Sequence, residues 1–175
     1  MTTSRREALI LGAAGLAAAA AGFMLGPLMT GGNESESALK AARFPDLAGK
    51  PRAMAEWRGR VLLINFWATW CAPCREEIPL LMQAATKYRN SGLEIVGIAV
   101  DNSIKVGEYA RKMDISYPIL LAEAEGLEFM RKLGNSAGGL PYTVIVDRQG
   151  AVAERKLGAY KGLELEHALA SFLRS

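Results

Sequence analysis

The chain has 175 residues, of which half are apolar and 22% are charged, and this composition excludes a wholly disordered or collagen-like polypeptide. Its formal net charge is only +3, and the small surplus is spread along the chain, so the sequence carries no electrostatic footprint for nucleic acid. It contains one histidine and two cysteines, which argues against a zinc site built from three or four His and Cys ligands.

The N-terminus combines a short basic segment with a long uncharged run. Arg5 and Arg6 precede residues 8–29, which carry no charge and are long enough to cross a bilayer as a helix. This order is typical of an export signal, and it places the rest of the chain outside the cytoplasm. The adjacent arginines resemble a twin-arginine signal, and the alanine run offers a small-residue cleavage site. We therefore assign residues 1–30 to an export signal or an N-terminal membrane anchor.

The segment after this leader has the composition of a spacer. Residues 31–43 begin with Gly31-Gly32-Asn33 and continue with alternating Glu and Ser, which predicts a flexible linker. The folded body is then predicted to occupy residues 44–175.

The body alternates between two hydrophobic patterns. Short, nearly continuous apolar runs predict buried strands, whereas apolar residues spaced three and four positions apart predict helices. In chain order these are a strand at 61–67, a helix after Cys74, a strand at 93–100, a helix around 106–113, a strand at 119–121, a helix at 127–133, strands at 142–146 and 151–157, and a terminal helix at about 165–172. The turn sequence Asp147-Arg148-Gln149-Gly150 joins the last two strands into a hairpin. Such alternation predicts an α/β sheet covered by helices.

Both cysteines fall in one Cys-x-x-Cys motif, where the predicted strand at 61–67 leads into a helix. Unpaired N–H groups and the dipole at a helix N-terminus stabilise a thiolate, which favours Cys71 as a nucleophile. Cys74 lies one helical turn later and can displace a mixed disulfide. A purely structural disulfide would close a very small loop and constrain the chain little. The motif therefore predicts redox chemistry.

The run Asn65-Phe66-Trp67-Ala68-Thr69-Trp70-Cys71-Ala72-Pro73-Cys74, with Gly139-Leu140-Pro141 downstream, resembles the thioredoxin superfamily. More narrowly, it is similar to the exported TlpA-like thiol-disulfide oxidoreductases, over about residues 44–175. The resemblance implies a thioredoxin-like α/β fold with a central mixed β-sheet flanked by helices. It also implies a nucleophilic Cys71 and a resolving Cys74 that form a redox-active disulfide.

The same resemblance implies a substrate-binding rim. It predicts a cis peptide bond before Pro141, which would face the cysteines together with Leu140 and align the partner polypeptide. Trp70 adjoins Cys71 and is expected to border the site. The stretch from Cys74 to Pro141 is longer than the roughly 30 residues of one βαβ unit, so it has room for a further strand and helix. The resemblance places this extra β/α element within residues 93–121.

Glu77 is a candidate proton acceptor. Thioredoxin itself has a buried acid in the strand before its motif, and this chain has Asn65 there. TlpA-like proteins often carry an acid three residues after the second cysteine, which is the position of Glu77. At that spacing Glu77 and Cys74 lie on the same side of a helix. The alternative is a solvated carboxylate in the surface cluster Arg75-Glu76-Glu77.

The resemblance implies a periplasmic reductase of disulfide-bearing exported proteins that uses its dithiol and no cofactor or metal. A membrane thiol electron donor would reduce it again, and cytochrome c maturation or metal-centre assembly are the pathways it suggests. The protein would be soluble after cleavage or tethered to the inner membrane by residues 8–29. Two other classes remain open: a peroxiredoxin-like peroxidase, which needs a lone cysteine far from its resolving partner, and a non-catalytic thioredoxin-fold binding module or metal chaperone.

Overall fold

The computed structural model describes residues 34–173. Its elements are helix α1 (34–41), strands β1 (Arg43–Pro45), β2 (Pro51–Ala53) and β3 (Val61–Trp67), helix α2 (Ala72–Tyr88), strand β4 (Leu93–Ala99), helix α3 (Ser103–Met113), strand β5 (Ile119–Leu121), helix α4 (Glu123–Lys132), strands β6 (Tyr142–Val146) and β7 (Val152–Leu157), and helix α5 (Gly162–Leu173). From β3 onward, the kind and order of the elements confirm the sequence prediction.

The predicted leader at 1–30 lies outside the described residues. Within 34–173, every helix is too short or too polar to cross a bilayer.

The central sheet has five strands in the order β5-β4-β3-β6-β7. Strands β4 and β5 run parallel to β3, whereas β6 runs antiparallel to β3 and forms a hairpin with β7. The sheet is therefore mixed, as the resemblance implies. Because Phe66 pairs with Tyr142, the end of β3 and the beginning of β6 lie at the same edge of the sheet.

The alternation of side chains along β3 divides the core into two layers. Leu63 and Trp67 face the layer that contains α2, α3 and α5, and Ile64 and Phe66 face the layer that contains α1 and α4. All seven β3 residues are buried, which explains why this strand reads as a continuous apolar run. Full burial of one such large apolar side chain contributes about 1.5–3 kcal/mol. This packing fixes β3 as the rigid support of the residues that follow it.

The structure corrects the predicted flexible linker from residue 34 onward. Residues 34–41 form α1, and the compact unit that holds the sheet begins at Ser35. The Ser35 hydroxyl donates to the Lys132 carbonyl at 2.8 Å, and the Leu39 side chain is buried in the α4 layer. A polar composition suggested a spacer, but one buried leucine and one paired serine attach this segment to the domain.

Candidate functional site

The two cysteines lie at the start of α2, as the sequence predicts. Cys71 is the N-cap residue of α2, and its Sγ accepts a hydrogen bond from the backbone N–H of Cys74 at 3.3 Å. The two side chains form a disulfide whose Cα atoms are 5.3 Å apart. Cys71 is 6% exposed and Cys74 is completely buried, so solvent reaches the disulfide only on the Cys71 side.

The position of Cys71 favours its thiolate once the disulfide is reduced. Its Sγ lies against the first turn of α2, where backbone N–H groups have no partner within the helix. These groups and the helix dipole stabilise a negative charge on sulfur. Pro73 fits the first turn because a residue there needs no intrahelical N–H bond. Within the pair, Cys71 therefore combines this helix N-terminus with a small remaining exposure, whereas Cys74 has none.

The predicted substrate rim lies at the same edge of the sheet. The peptide bond between Leu140 and Pro141 is cis, in agreement with the resemblance. Pro141 comes directly before Tyr142, the residue paired with the penultimate residue of β3, so it lies at the edge from which the chain continues to Cys71. Trp70 is 68% exposed. Contact of these residues with a substrate stays a prediction.

Glu77 is buried, so the alternative of a solvated carboxylate in the surface cluster Arg75-Glu76-Glu77 is wrong. Its neighbours Arg75 and Glu76 are exposed, whereas Glu77 retains only 2% exposure. Its Oε2 accepts a hydrogen bond from the Asn65 side-chain amide at 3.2 Å, and its Oε1 accepts one from the Tyr160 backbone N–H at 2.9 Å. The carboxyl group is therefore held between β3, α2 and the loop that precedes α5.

Burial raises the pKa of Glu77 above its ordinary value, because desolvation disfavours the charged form. The hydrogen bonds from Tyr160 and Asn65 and the positive charge of Lys156 oppose this effect without cancelling it. A carboxyl group with a raised pKa is closer in proton affinity to a thiol than a solvated one is. It is therefore suited to exchanging a proton with a thiol in the same layer of the core.

Asn65 links the strands of the sheet to Glu77. Its side-chain amide also donates to the Thr143 hydroxyl on β6 at 3.0 Å. Asn65 occupies the position where thioredoxin has an acid, and its amide cannot take up a proton. It instead orients Glu77, the acid that α2 supplies. Sequence reasoning missed Thr143 and Tyr160, because no local motif marks a hydroxyl or a backbone N–H that becomes a partner only after folding.

Asp101 is a second carboxylate that sequence reasoning missed. It follows β4, and its Oδ2 accepts hydrogen bonds from both the backbone N–H and the hydroxyl of Thr69. Burial favours its neutral form, but the hydrogen bonds from Thr69 and Asn102 outweigh burial and hold the pKa of Asp101 below its ordinary value. Its position directly after the apolar run at 93–100 is the sequence signal that would have suggested it.

No group of three or more His, Cys, Asp or Glu side chains within residues 34–173 is arranged to hold a metal ion.

The fold and the Cys71–Cys74 pair define a thiol-disulfide oxidoreductase of the thioredoxin superfamily. Residues 34–170 match the model of the family described as Redoxin, and the chain belongs to that family. Within the superfamily it is a TlpA-like protein-disulfide oxidoreductase, as the following relatives support.

The chain is 30% identical over 123 residues to a thiol-disulfide oxidoreductase ResA of Bacillus cereus, and the match covers 69% of this chain and 68% of the relative. It is 28% identical over 127 residues to the thioredoxin-like protein YneN of Bacillus subtilis, with coverage of 70% and 71%. Among solved structures, a thiol:disulfide interchange protein from Chlorobium tepidum is 29% identical, with a TM-score of 0.68 and coverage of 75% and 92%. A secreted thiol-disulfide isomerase from Corynebacterium glutamicum shares the fold at 19% identity, with a TM-score of 0.70 and coverage of 77% and 84%.

Burial of Glu77 makes stability depend on pH in a defined direction. Between the ordinary and the raised pKa, the folded protein keeps a proton that the unfolded chain loses, so the free energy of unfolding falls as pH rises through this interval. We expect Glu77→Gln to unfold with a higher free energy than the wild type at neutral pH and with a similar one at acidic pH. Urea denaturation of the disulfide-intact proteins at several pH values measures this difference.

Glu76→Gln is the matched control, because Glu76 is the exposed neighbour of the same residue type. We expect no comparable pH-dependent gain from it. An equal response of the two variants would contradict a raised pKa at Glu77.

Proposed function

We propose that this protein is a disulfide reductase for exported proteins and that it works in the bacterial periplasm. The observation that carries the proposal is the difference in position and burial between the two cysteines at the start of α2. Cys71 lies at the helix N-terminus and is the less buried of the two cysteines, whereas Cys74 and Glu77 are almost completely buried. An enzyme that attacks a large partner needs an accessible first thiolate and a protected second one.

The first step is attack by the Cys71 thiolate on one sulfur of the substrate disulfide. The substrate S–S bond breaks, a mixed disulfide forms with Cys71, and the other substrate sulfur leaves as a thiolate that takes a proton from water. The α2 N-terminus favours the attacking thiolate. We assign Trp70, Leu140 and Pro141 to the rim that holds the partner polypeptide during this step. This assignment is supported by two observations. Pro141 lies at the same edge of the sheet as the end of β3, and the Trp70 side chain is exposed.

The second step releases the product. Cys74 gives its proton to the Glu77 carboxylate, and the new thiolate attacks Cys71, which expels the second substrate sulfur. The substrate has then gained two electrons, and the Cys71–Cys74 pair has lost two and closed as a disulfide. A raised pKa at Glu77 favours this transfer, since the proton affinities of acid and thiol are closer together.

A dithiol donor in the membrane returns the two electrons to the Cys71–Cys74 disulfide. Export is supported by the basic segment and the uncharged run at residues 1–30, which act as a cleaved signal or as an anchor in the inner membrane. Cytochrome c maturation and metal-centre assembly are pathways that consume reduced cysteine pairs outside the cytoplasm. A peroxidase fits less well, because both cysteines lie in one short motif and are joined to each other.

The reductase assignment predicts turnover in a coupled assay. With a dithiol donor, the wild type should reduce insulin disulfides, and Cys71→Ser should abolish turnover because no attacking sulfur remains. The reduction potential of the Cys71–Cys74 couple should lie near the value of about −270 mV that is typical of thioredoxin. A value near the roughly −120 mV of strong oxidants would reverse the proposed direction.

The order of attack is tested by trapping in the same assay. Cys74→Ser should accumulate mixed disulfides with the substrate, since Cys71 still attacks but nothing resolves the complex. Cys71→Ser is the matched control and should accumulate few. The reverse pattern would overturn the assigned roles while leaving the oxidoreductase class intact.

The proton-acceptor role of Glu77 predicts a specific kinetic defect. In the wild type, resolution of the mixed disulfide should accelerate as pH rises through the pKa of Glu77, because only the carboxylate accepts a proton. Glu77→Gln should slow resolution at neutral pH by about 10²-fold and remove this acceleration. Stopped-flow measurement of product release across pH gives the profile. Identical profiles for the wild type and Glu77→Gln would reduce Glu77 to a structural acid, and Glu76→Gln controls for the loss of a nearby charge.

The export proposal is tested with the leader alone. Residues 1–40 fused to a reporter that is active only outside the cytoplasm should give reporter activity. Lys substitution of both Arg5 and Arg6 should impair export if the twin-arginine route is used. Unchanged export would indicate the general secretory route, and an inactive fusion would contradict export.

A further inference from the structure

The short segment between β3 and α2 carries the most exposed part of the site. Residues 68–70 leave the sheet, present the Trp70 side chain to solvent at 68% exposure, and lead directly into Cys71. The backbone N–H of Cys71 donates to the Ala68 carbonyl at 3.2 Å, which makes the turn tight. This local hydrogen bond shapes the turn, but it does not attach it to the rest of the domain.

Thr69 provides that attachment. Its backbone N–H donates to Asp101 Oδ2 at 2.9 Å, and its hydroxyl donates to the same oxygen. Two donors from one residue to one carboxylate fix both the position and the orientation of the peptide unit at residue 69. Hydrogen bonds to an ionised acceptor are about twice as strong as neutral ones. This attachment is therefore stronger than an ordinary loop contact.

The Asp101 carboxylate is itself fixed to the sheet and to α3. Its Oδ1 accepts a hydrogen bond from the Asn102 backbone N–H at 2.7 Å. Asn102 caps α3 through hydrogen bonds from the N–H groups of Ile104 and Lys105, so the carboxylate lies where the dipole of α3 favours a negative charge. One residue earlier, the Val100 N–H donates to the Trp67 carbonyl at 3.0 Å. The Asp101 carboxylate is therefore held in a fixed position relative to the sheet.

We propose that Asp101, acting through Thr69, is a positioning residue for the attack of Cys71. The pair holds residues 68–70 in one conformation, so that the Trp70 side chain and the Cys71 sulfur meet a partner disulfide in a fixed arrangement. This inference rests on the oxidoreductase activity of Cys71 but is independent of the direction of electron flow. Fixing reacting groups in a productive geometry lowers the barrier of a bimolecular step. The pair therefore acts on the first step and leaves the Glu77-dependent second step alone.

The test compares variants in two separate rate measurements. The first is the second-order rate constant for attack of the reduced protein on a peptide disulfide, and the second is the rate of product release from a preformed mixed disulfide. Thr69→Val removes the hydroxyl and keeps the branched shape, and Asp101→Ala removes the acceptor. We expect attack to slow by about tenfold in Thr69→Val, from the loss of one charge-assisted hydrogen bond, and by at least as much in Asp101→Ala, which removes both bonds from Thr69. Product release should stay unchanged in both.

Rescue and coupling distinguish positioning from loss of structure. Thr69→Ser keeps the hydroxyl and should restore the rate of attack to near that of the wild type. Thr69→Val should add little when Asp101→Ala is already present, since Asp101→Ala has already removed the acceptor of the Thr69 hydroxyl. Thr86→Val is the matched control: Thr86 is exposed on α2, and its hydroxyl donates to the Met82 carbonyl of its own helix.

The outcomes separate this inference from the proposed function. A wild type that fails to attack disulfides defeats the reductase proposal itself. An active wild type with unchanged attack in Thr69→Val and Asp101→Ala overturns the positioning pair alone. Equal slowing of attack and release, or no rescue by Thr69→Ser, also overturns it, because a general structural role has that pattern. If Asp101→Ala does not fold, the rates of attack and product release in Thr69→Val and Thr69→Ser decide the test.

Discussion

Strand β3 is buried along its whole length, and the arrangement of the site depends on how its two neighbours pair with it. The parallel β4 ends at the same edge as β3, and the antiparallel β6 begins there. The chain therefore brings Cys71, Asp101 and Pro141 to one edge of the sheet from three separate parts of the sequence. A different direction for either neighbouring strand would move Asp101 or Pro141 to the opposite edge.

The layer beneath this edge contains polar groups in an otherwise apolar core. Asn65 and Glu77 are both almost completely buried, and each costs free energy unless its polar atoms are paired. They pair with each other, and Thr143 and the Tyr160 backbone complete the network. The hydrogen bonds offset part of the desolvation cost of Glu77, and the remainder appears as its raised pKa.

The carboxylates of Glu77 and Asp101 have opposite electrostatic environments. Glu77 is enclosed by the core about one helical turn after Cys74, and burial raises its pKa. Asp101 is only partly buried, and the hydrogen bonds from Thr69 and Asn102 lower its pKa. One acid is thereby suited to moving a proton, and the other to remaining a fixed negative acceptor. Separation of proton affinities by environment allows two residues with the same functional group to serve different steps.

Several features of the protein were predictable because their signals are local. Continuous apolar runs identified β3, β4 and β6, helical spacing identified α2 and α5, and the Cys-x-x-Cys motif at a strand-to-helix junction identified the reactive pair. The expected cis bond before Pro141 and the choice of Glu77 as a candidate proton acceptor came from family resemblance. The linker prediction was wrong over residues 34–41, because their polar composition outweighs the single Leu39 that attaches α1 to the core.

The sequence by itself determined the order of the elements, the redox-active pair and the position of the acid one turn beyond it. Only the tertiary structure decided that Glu77 is buried and that Asp101 reaches Thr69. Helical spacing places Glu77 on the side of Cys74 but does not say whether α5 and the loop before it cover that side. The distance between Asp101 and Thr69 depends on the parallel register of β3 and β4, which local patterns do not encode. Hydrophobic periodicity reports which face of an element is buried, whereas the partners of a buried polar atom are chosen by the packing of elements distant in the chain.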